Sequence, residues 1–314
     1  MIDSTIRDWL GDMPIDPWDG QVRHGEAREF RTHTEIKIDY CGHAGERIPA
    51  YLLLPRNADA ATARGENPQR AGVVAFHQCG YHCDLGKEQV VGHCVDLPEQ
   101  AYGLELVRRG FVVLAPDAAK VGERFDPALR PRWKCATDRA GQDACCCAPG
   151  GSWGHPRWRP VFDAMRAVDV LAAVPGVDPA RLGAIGHSLG ADTILWTLPV
   201  EPRLRAVALS GGGILFTRRG GWQPYARPYP EIVGPYLNRG GAFFEFAGTH
   251  DPCHRLDDPR PEDPAVHMAA KNAAHTEWAR AHAGRVHFVT APVGHEFPES
   301  ARVAAYDFLA AHLG

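Results

Sequence analysis

Leu182-Gly183-Ala184-Ile185-Gly186-His187-Ser188-Leu189-Gly190-Ala191-Asp192-Thr193-Ile194-Leu195-Trp196-Thr197-Leu198 decides how the rest of the chain is organised. Leu182 to Ile185 is an apolar run of strand length, and Ala191 to Leu198 continues as a helix. Between them, Gly186, Ser188 and Gly190 satisfy G-x-S-x-G. The pattern alone is weak, because a tight glycine turn with an incidental serine produces it equally well. Its setting changes that. A serine on so sharp a strand-to-helix turn is held in strained backbone geometry, and small flanking residues let neighbouring backbone approach. The turn would lift the hydroxyl above the sheet and beside a helix N-terminus, where developing negative charge is favoured.

Working outward, the same alternation recurs. Ala71 to Phe76 and Phe111 to Ala115 are short, β-branched and apolar on both faces, as strands inside a parallel sheet are. Leu97 to Arg109 has helical spacing and ends at Gly110. Val161 to Val174 reads as an amphipathic helix stopped by Pro175 and Gly176. Ala206 to Leu209, Phe243 to Ala247 and Val286 to Val289 add strands, and Arg302 to His312 a closing helix. On the N-terminal side, Glu35 to Tyr40 and Ile48 to Leu54 read as an antiparallel hairpin. The expected fold is α/β: a doubly wound, mostly parallel sheet with right-handed crossovers and that hairpin at its start. Residues 1–32 are expected to form an arm packed on a single domain spanning 33–314. Two long insertions interrupt it, at about 120–155 and 214–241, and both are rich in aromatic residues.

Composition narrows the partners. The chain has 314 residues, 45% hydrophobic and 23% charged, with 34 Lys+Arg against 38 Asp+Glu and a formal charge of −4. That balance gives no general drive toward nucleic acid or an anionic membrane. No apolar run reaches the ~18 residues of a spanning helix, and Met1 to Leu10 lacks a signal layout. Nine cysteines cannot all pair within one chain, so reduced thiols and a cytoplasmic location are expected. His77, Cys79, His82, Cys83, His93 and Cys94 crowd one stretch and Cys145, Cys146 and Cys147 another. Their irregular spacing does not suit a tetrahedral zinc, so no metal is expected. Self-association as a homo-oligomer stays open.

A serine hydroxyl needs a base to take its proton. Position selects among sixteen histidines: His295 lies after the last strand and before the closing helix, at the carboxyl edge where ligands bind in open α/β sheets. Asp251 follows the strand at Phe243 to Ala247 and supplies the acid. Asp257, Asp258, His250, His254 and Glu296 are nearby alternatives in less suitable positions. A tetrahedral intermediate also needs two backbone donors: the N–H of Leu189, directly after the serine, and one from His77-Gln78-Cys79-Gly80, expected to be that of Cys79, with Gln78 as the alternative. A Cys79 nucleophile is the rival to Ser188. Arg218, Arg219 and Arg227 are candidate readers of a substrate carboxylate, against their ordinary role as exposed loop charges.

The order Ser188, Asp251, His295 is that of the α/β-hydrolase triad. With Ile48 to Pro55, the His77-Gln78 loop, Gly86-Lys87-Glu88, Asp117, Gly122-Glu123-Arg124, Val177 to Gly183 and Gly294-His295, the chain resembles the α/β-hydrolases. Within them it is similar to the dienelactone hydrolase-like and acetyl xylan esterase-like branch, from about Ile48 to the C-terminus. The resemblance implies an α/β-hydrolase fold and a cofactor-free hydrolase of small carboxylic esters or lactones. Peptidases and carbon–carbon bond hydrolases share the same turn and are the alternative. Residues 1–30 and the cysteine run match nothing in that pattern.

Overall fold

Short apolar runs have little to gain from water and much from a sheet covered by helices, and six parallel strands that carry such runs lie side by side here. The computed structural model describes residues 10–14, 16–56, 69–79, 84–125, 158–212, 228–251 and 264–314, with backbone alone at 228–231 and 264–271. Its strands are β1 (Val22–Glu29), β2 (His33–Cys41), β3 (Arg47–Pro55), β4 (Arg70–Phe76), β5 (Val112–Pro116), β6 (Val177–His187), β7 (Leu204–Ser210), β8 (Ala242–Gly248) and β9 (Val286–Ala291). They form one sheet in the order β1-β2-β3-β5-β4-β6-β7-β8-β9. The first three are antiparallel, and β3 meets β5 antiparallel, pairing Tyr51 with Ala115 and Leu53 with Val113. From β5 across to β9 every pairing is parallel. This is the α/β-hydrolase fold, with the antiparallel start expected from the sequence.

The period of two along each strand sorts side chains into two cores. Val74, Phe76, Leu114, Ala184 and Val207 face one way, against α3 (Trp158–Ala172) and α4 (Leu189–Thr197). Val73, Ala75, Val113, Ile185 and Ala208 face the other, against α2 (Tyr102–Arg108) and α7 (Glu299–Leu313). Burying each such Val or Leu side chain is worth roughly 1.5–3 kcal/mol, which is what holds the two helical layers to the sheet. The remaining helices are α1 (Lys87–Val90), α5 (Pro228–Asn238) and α6 (Pro264–Ala281). No helix among the described residues is long and apolar enough to cross a membrane.

Three elements differ from the sequence expectation. Residues 22–29 are a strand: β1 pairs with β2, but its residues after Val22 are exposed and mostly polar, so no apolar alternation announced it. Within 214–241, residues 228–238 are helical, and Ile232, Val233, Tyr236 and Leu237 are fully buried. Pro228, Pro230 and Pro235 obscured that pattern, Pro at the first turn being compatible with a helix and Pro inside one unfavourable. Helix α6 carries little amphipathic contrast, and among its described side chains His275 and Trp278 are buried. Most of 120–155, including Cys145–Cys147, lies outside the described residues, as do 213–227.

Candidate active site

Strand β6 ends at His187 and α4 begins at Leu189, so one residue makes the whole turn. Ser188 has φ 53° and ψ −116°, a region that a side chain enters only when its surroundings hold it there. The two glycines explain how. A Cβ on Gly186 would stand 2.5 Å from the Gly190 carbonyl carbon, and one on Gly190 would stand 2.1 Å from the Phe76 oxygen. The start of α4 is thus pressed directly onto the end of β4. From the other side, the Ser188 N–H donates to the Ser210 carbonyl at 2.8 Å, and the Asp192 N–H donates to the Ser188 carbonyl at 3.0 Å. Leu189 opens the helix, among the amides that lack a partner within it.

Strands β8 and β9 are parallel neighbours, so the loops leaving them emerge together. The Thr249 N–H donates to Ala291 O at 2.9 Å and the His250 N–H to Val293 O at 3.0 Å, lashing the two loops. This brings Asp251 and His295 into contact: Nδ1 of His295 lies 2.7 Å from Oδ2 of Asp251. The carboxylate is buried, and the imidazole is 14% exposed. A carboxylate accepts, so Nδ1 carries the proton and the neutral ring keeps its lone pair on Nε2. That nitrogen can take a proton, and the buried carboxylate stabilises the cation formed.

Between these two groups sits the end of β7. Ser210 holds the Ser188 N–H, and Gly211 follows with φ +59°. A Cβ on Gly211 would stand 2.9 Å from Cε1 of His295 and 3.3 Å from Cε1 of His187, so only glycine leaves room for both rings. The His187 and His295 rings are 4.7 Å apart and tilted by 35°. His187 Nδ1 lies 3.0 Å from Ser210 Oγ. Burial, then the neighbouring His295, pushes the His187 pKa down to about 3, so this ring is neutral around pH 7. His187, Ser210 and Gly211 were missed from sequence. The only signal was the run Ser210-Gly211-Gly212-Gly213 at a strand end.

The loop after β4 completes the rim. Gln78 and Cys79 are buried, and residues 80–83 lie outside the described residues. Behind the loop, Lys87 is fully buried with Nζ 2.8 Å from Asp117, 2.9 Å from Glu88 and 2.6 Å from Glu123. Burial opposes its charge, but the Asp117 and Glu88 carboxylates outweigh that and raise its pKa. Asp117 also accepts the backbone N–H of Lys87 at 2.8 Å and of Glu123 at 3.0 Å, stapling the segment after β4 to the one after β5. Of the weaker alternatives, His250 and Glu296 are exposed; His254, Asp257, Asp258, Arg218, Arg219 and Arg227 fall outside the described residues.

No family model matches the chain. A curated relative, "Putative hydrolase YtaP" of Bacillus subtilis (strain 168), is 27% identical over 199 residues, covering 62% of this chain and 58% of that protein. The match therefore spans less than two thirds of the relative's length. Among solved structures, the chain is similar to Methylesterase BT1017, with a TM-score of 0.61 at 14% identity, over 98% of this chain and 61% of that one. It is also similar to the acetyl xylan esterase from Paenibacillus sp. R4, with a TM-score of 0.56 at 16% identity, over 98% of this chain and 92% of that one. At such identities the likeness is one of fold, and the fold is that of the α/β-hydrolases.

Proposed function

We propose that the chain is a serine hydrolase that cleaves a small carboxylic ester or lactone through an acyl-enzyme. The observation that carries this reading is the buried Asp251 joined at 2.7 Å to His295, whose ring packs on Gly211, next to the Ser210 carbonyl that holds the positive-φ Ser188. His295 Nε2 takes the Ser188 proton as Oγ attacks the carbonyl, and Asp251 holds the imidazole tautomer and stabilises its charged form. The Leu189 and Cys79 N–H groups receive the oxyanion. The protonated His295 returns its proton to the departing alcohol. Water then attacks the acyl-enzyme with His295 again as base, releasing the acid and restoring Ser188.

The esterase names of the similar structures support an ester as the substrate, and the odd cysteine count supports a reducing, cytoplasmic setting. The test is a panel of p-nitrophenyl esters against aminoacyl amides and 1,3-diketones, run on the wild type and Ser188→Ala. Ester turnover that falls about a millionfold in the variant is expected, by analogy with known triads. Preference for amides or diketones would replace the esterase reading with a peptidase or carbon–carbon hydrolase.

A further inference from the structure

Which amide faces the reaction, Gln78 or Cys79, can be argued from the other side of the peptide. Ala118, two residues beyond β5, donates its backbone N–H to His77 Nε2 at 3.0 Å. A backbone N–H only donates, so Nε2 holds a lone pair. His77 is buried, which pushes its pKa down and favours the neutral ring. The single ring proton therefore sits on Nδ1. That nitrogen is 2.6 Å from the Gln78 carbonyl oxygen, which can only accept. A second donor reaches the same oxygen: Gln89 of α1, also buried, approaches it with Nε2 at 3.3 Å while binding Leu85 O at 2.7 Å.

The described peptides are all trans. In a trans peptide C=O and N–H point in opposite directions, so fixing the Gln78 carbonyl fixes the direction of the Cys79 N–H. The preceding peptide is placed by a different neighbour. The His77 carbonyl oxygen lies 3.0 Å from where a Cβ on Gly190 would stand, so it faces α4, and the Gln78 N–H is turned from that helix.

We propose that His77 and Gln89 are positioning residues that lock the Gln78–Cys79 peptide, making the Cys79 N–H the second oxyanion donor. This rests on the serine hydrolase reading. A donor fixed beforehand needs no reorganisation when the tetrahedral charge develops, and losing one costs ~10²–10³ in turnover. Ala118 extends the lock to β5, so the donor is referenced to the sheet and not to its own loop alone.

Two substitutions at one position separate positioning from mere packing. His77→Asn places an amide nitrogen near the Nδ1 position and keeps donation to Gln78, whereas His77→Gln places its amide near Nε2 and loses it. His77→Gln is expected to lower kcat by about a hundredfold with KM little changed, and to weaken a tetrahedral boronic acid inhibitor in parallel. His77→Asn should recover most of both, and Gln89→Met should cost about tenfold in kcat. Equal losses in His77→Gln and His77→Asn, or kcat within twofold of wild type in His77→Gln, would overturn the lock. Should His77→Gln fail to fold, Gln89→Met decides, and an unchanged kcat there overturns the proposal. Ser188→Ala is the control: full activity in it removes the serine reading and this inference together, while its inactivation with an indifferent His77 removes this inference alone.

Discussion

Two buried aspartates stand at the carboxyl edge of the same sheet, and their partners make them different objects. Asp117, just after β5, meets the Lys87 ammonium at 2.8 Å and two backbone N–H groups. Asp251, after β8, meets the His295 imidazole at 2.7 Å. Both carboxylates are shielded from water. Lysine so held keeps its proton throughout the range where proteins fold, which makes the first pair a brace. Imidazole gains and loses a proton near neutrality, so the second pair is suited to relay one. Burial and residue type are shared, and the partner's chemistry separates the roles.

The sharpest way to break this comparison is to neutralise each aspartate in turn. Asp251→Asn should lower kcat by roughly 10⁴-fold, by inverting the His295 tautomer, while Tm moves little. Steady-state kinetics beside thermal melts would show it. Asp117→Asn should do the reverse: it leaves Lys87 buried with a weakened partner set and is expected to cost about 3 kcal/mol of stability in urea unfolding. The activity of the folded fraction should stay within about tenfold of wild type. Were Asp117→Asn to abolish turnover without loss of stability, the brace would be part of the chemistry.

A smaller effect comes from pH. The unfolded His187 takes up a proton near its ordinary pKa of 6.5, whereas the folded one waits until about 3. Below 6.5 the unfolded state therefore binds more protons, and stability falls as pH drops across that window. At pH 5 the loss is about 2 kcal/mol, since each pKa unit is worth ~1.4 kcal/mol. His187→Gln should flatten the dependence of Tm on pH between 6.5 and 3; an unchanged slope would mean that other groups carry it. Glu88 acts in the same direction over a lower range. Burial works against its charge, but Lys87 outweighs it and holds its pKa below the ordinary 4.5. Its contribution is present above that value and lost as pH falls below it, so Glu88→Gln should shave the most acidic part of the curve.

The legibility of the molecule from sequence follows how local each signal is. Strands β4, β5, β7, β8 and the second half of β6 were readable because burial on both faces demands runs dominated by Val, Ala, Leu, Ile and Phe, and the turn at Ser188 was readable because its glycines are forced by contacts of 2.1–2.5 Å. Asp251 and His295 followed from their places after two strands, and they are hydrogen-bonded. Strand β1 was hidden because only one of its edges pairs and its faces are solvated. The orientation of the Gln78–Cys79 peptide was hidden for a different reason. It depends on the tautomer of His77, which is set by an amide 41 residues away on another strand's loop. Gln89, similarly, is an ordinary helix residue until its amide is seen to reach Gln78. Contacts made across strand ends carry no local pattern.

The central claim, that Ser188 is the nucleophile served by His295, is tested most directly by labelling the protein with a fluorophosphonate and mapping the adduct by peptide mass spectrometry. The account predicts a single adduct on the peptide containing Ser188, absent in Ser188→Ala and formed at least a thousandfold more slowly in His295→Gln. An adduct on Cys79, or labelling that survives Ser188→Ala unchanged, would contradict it.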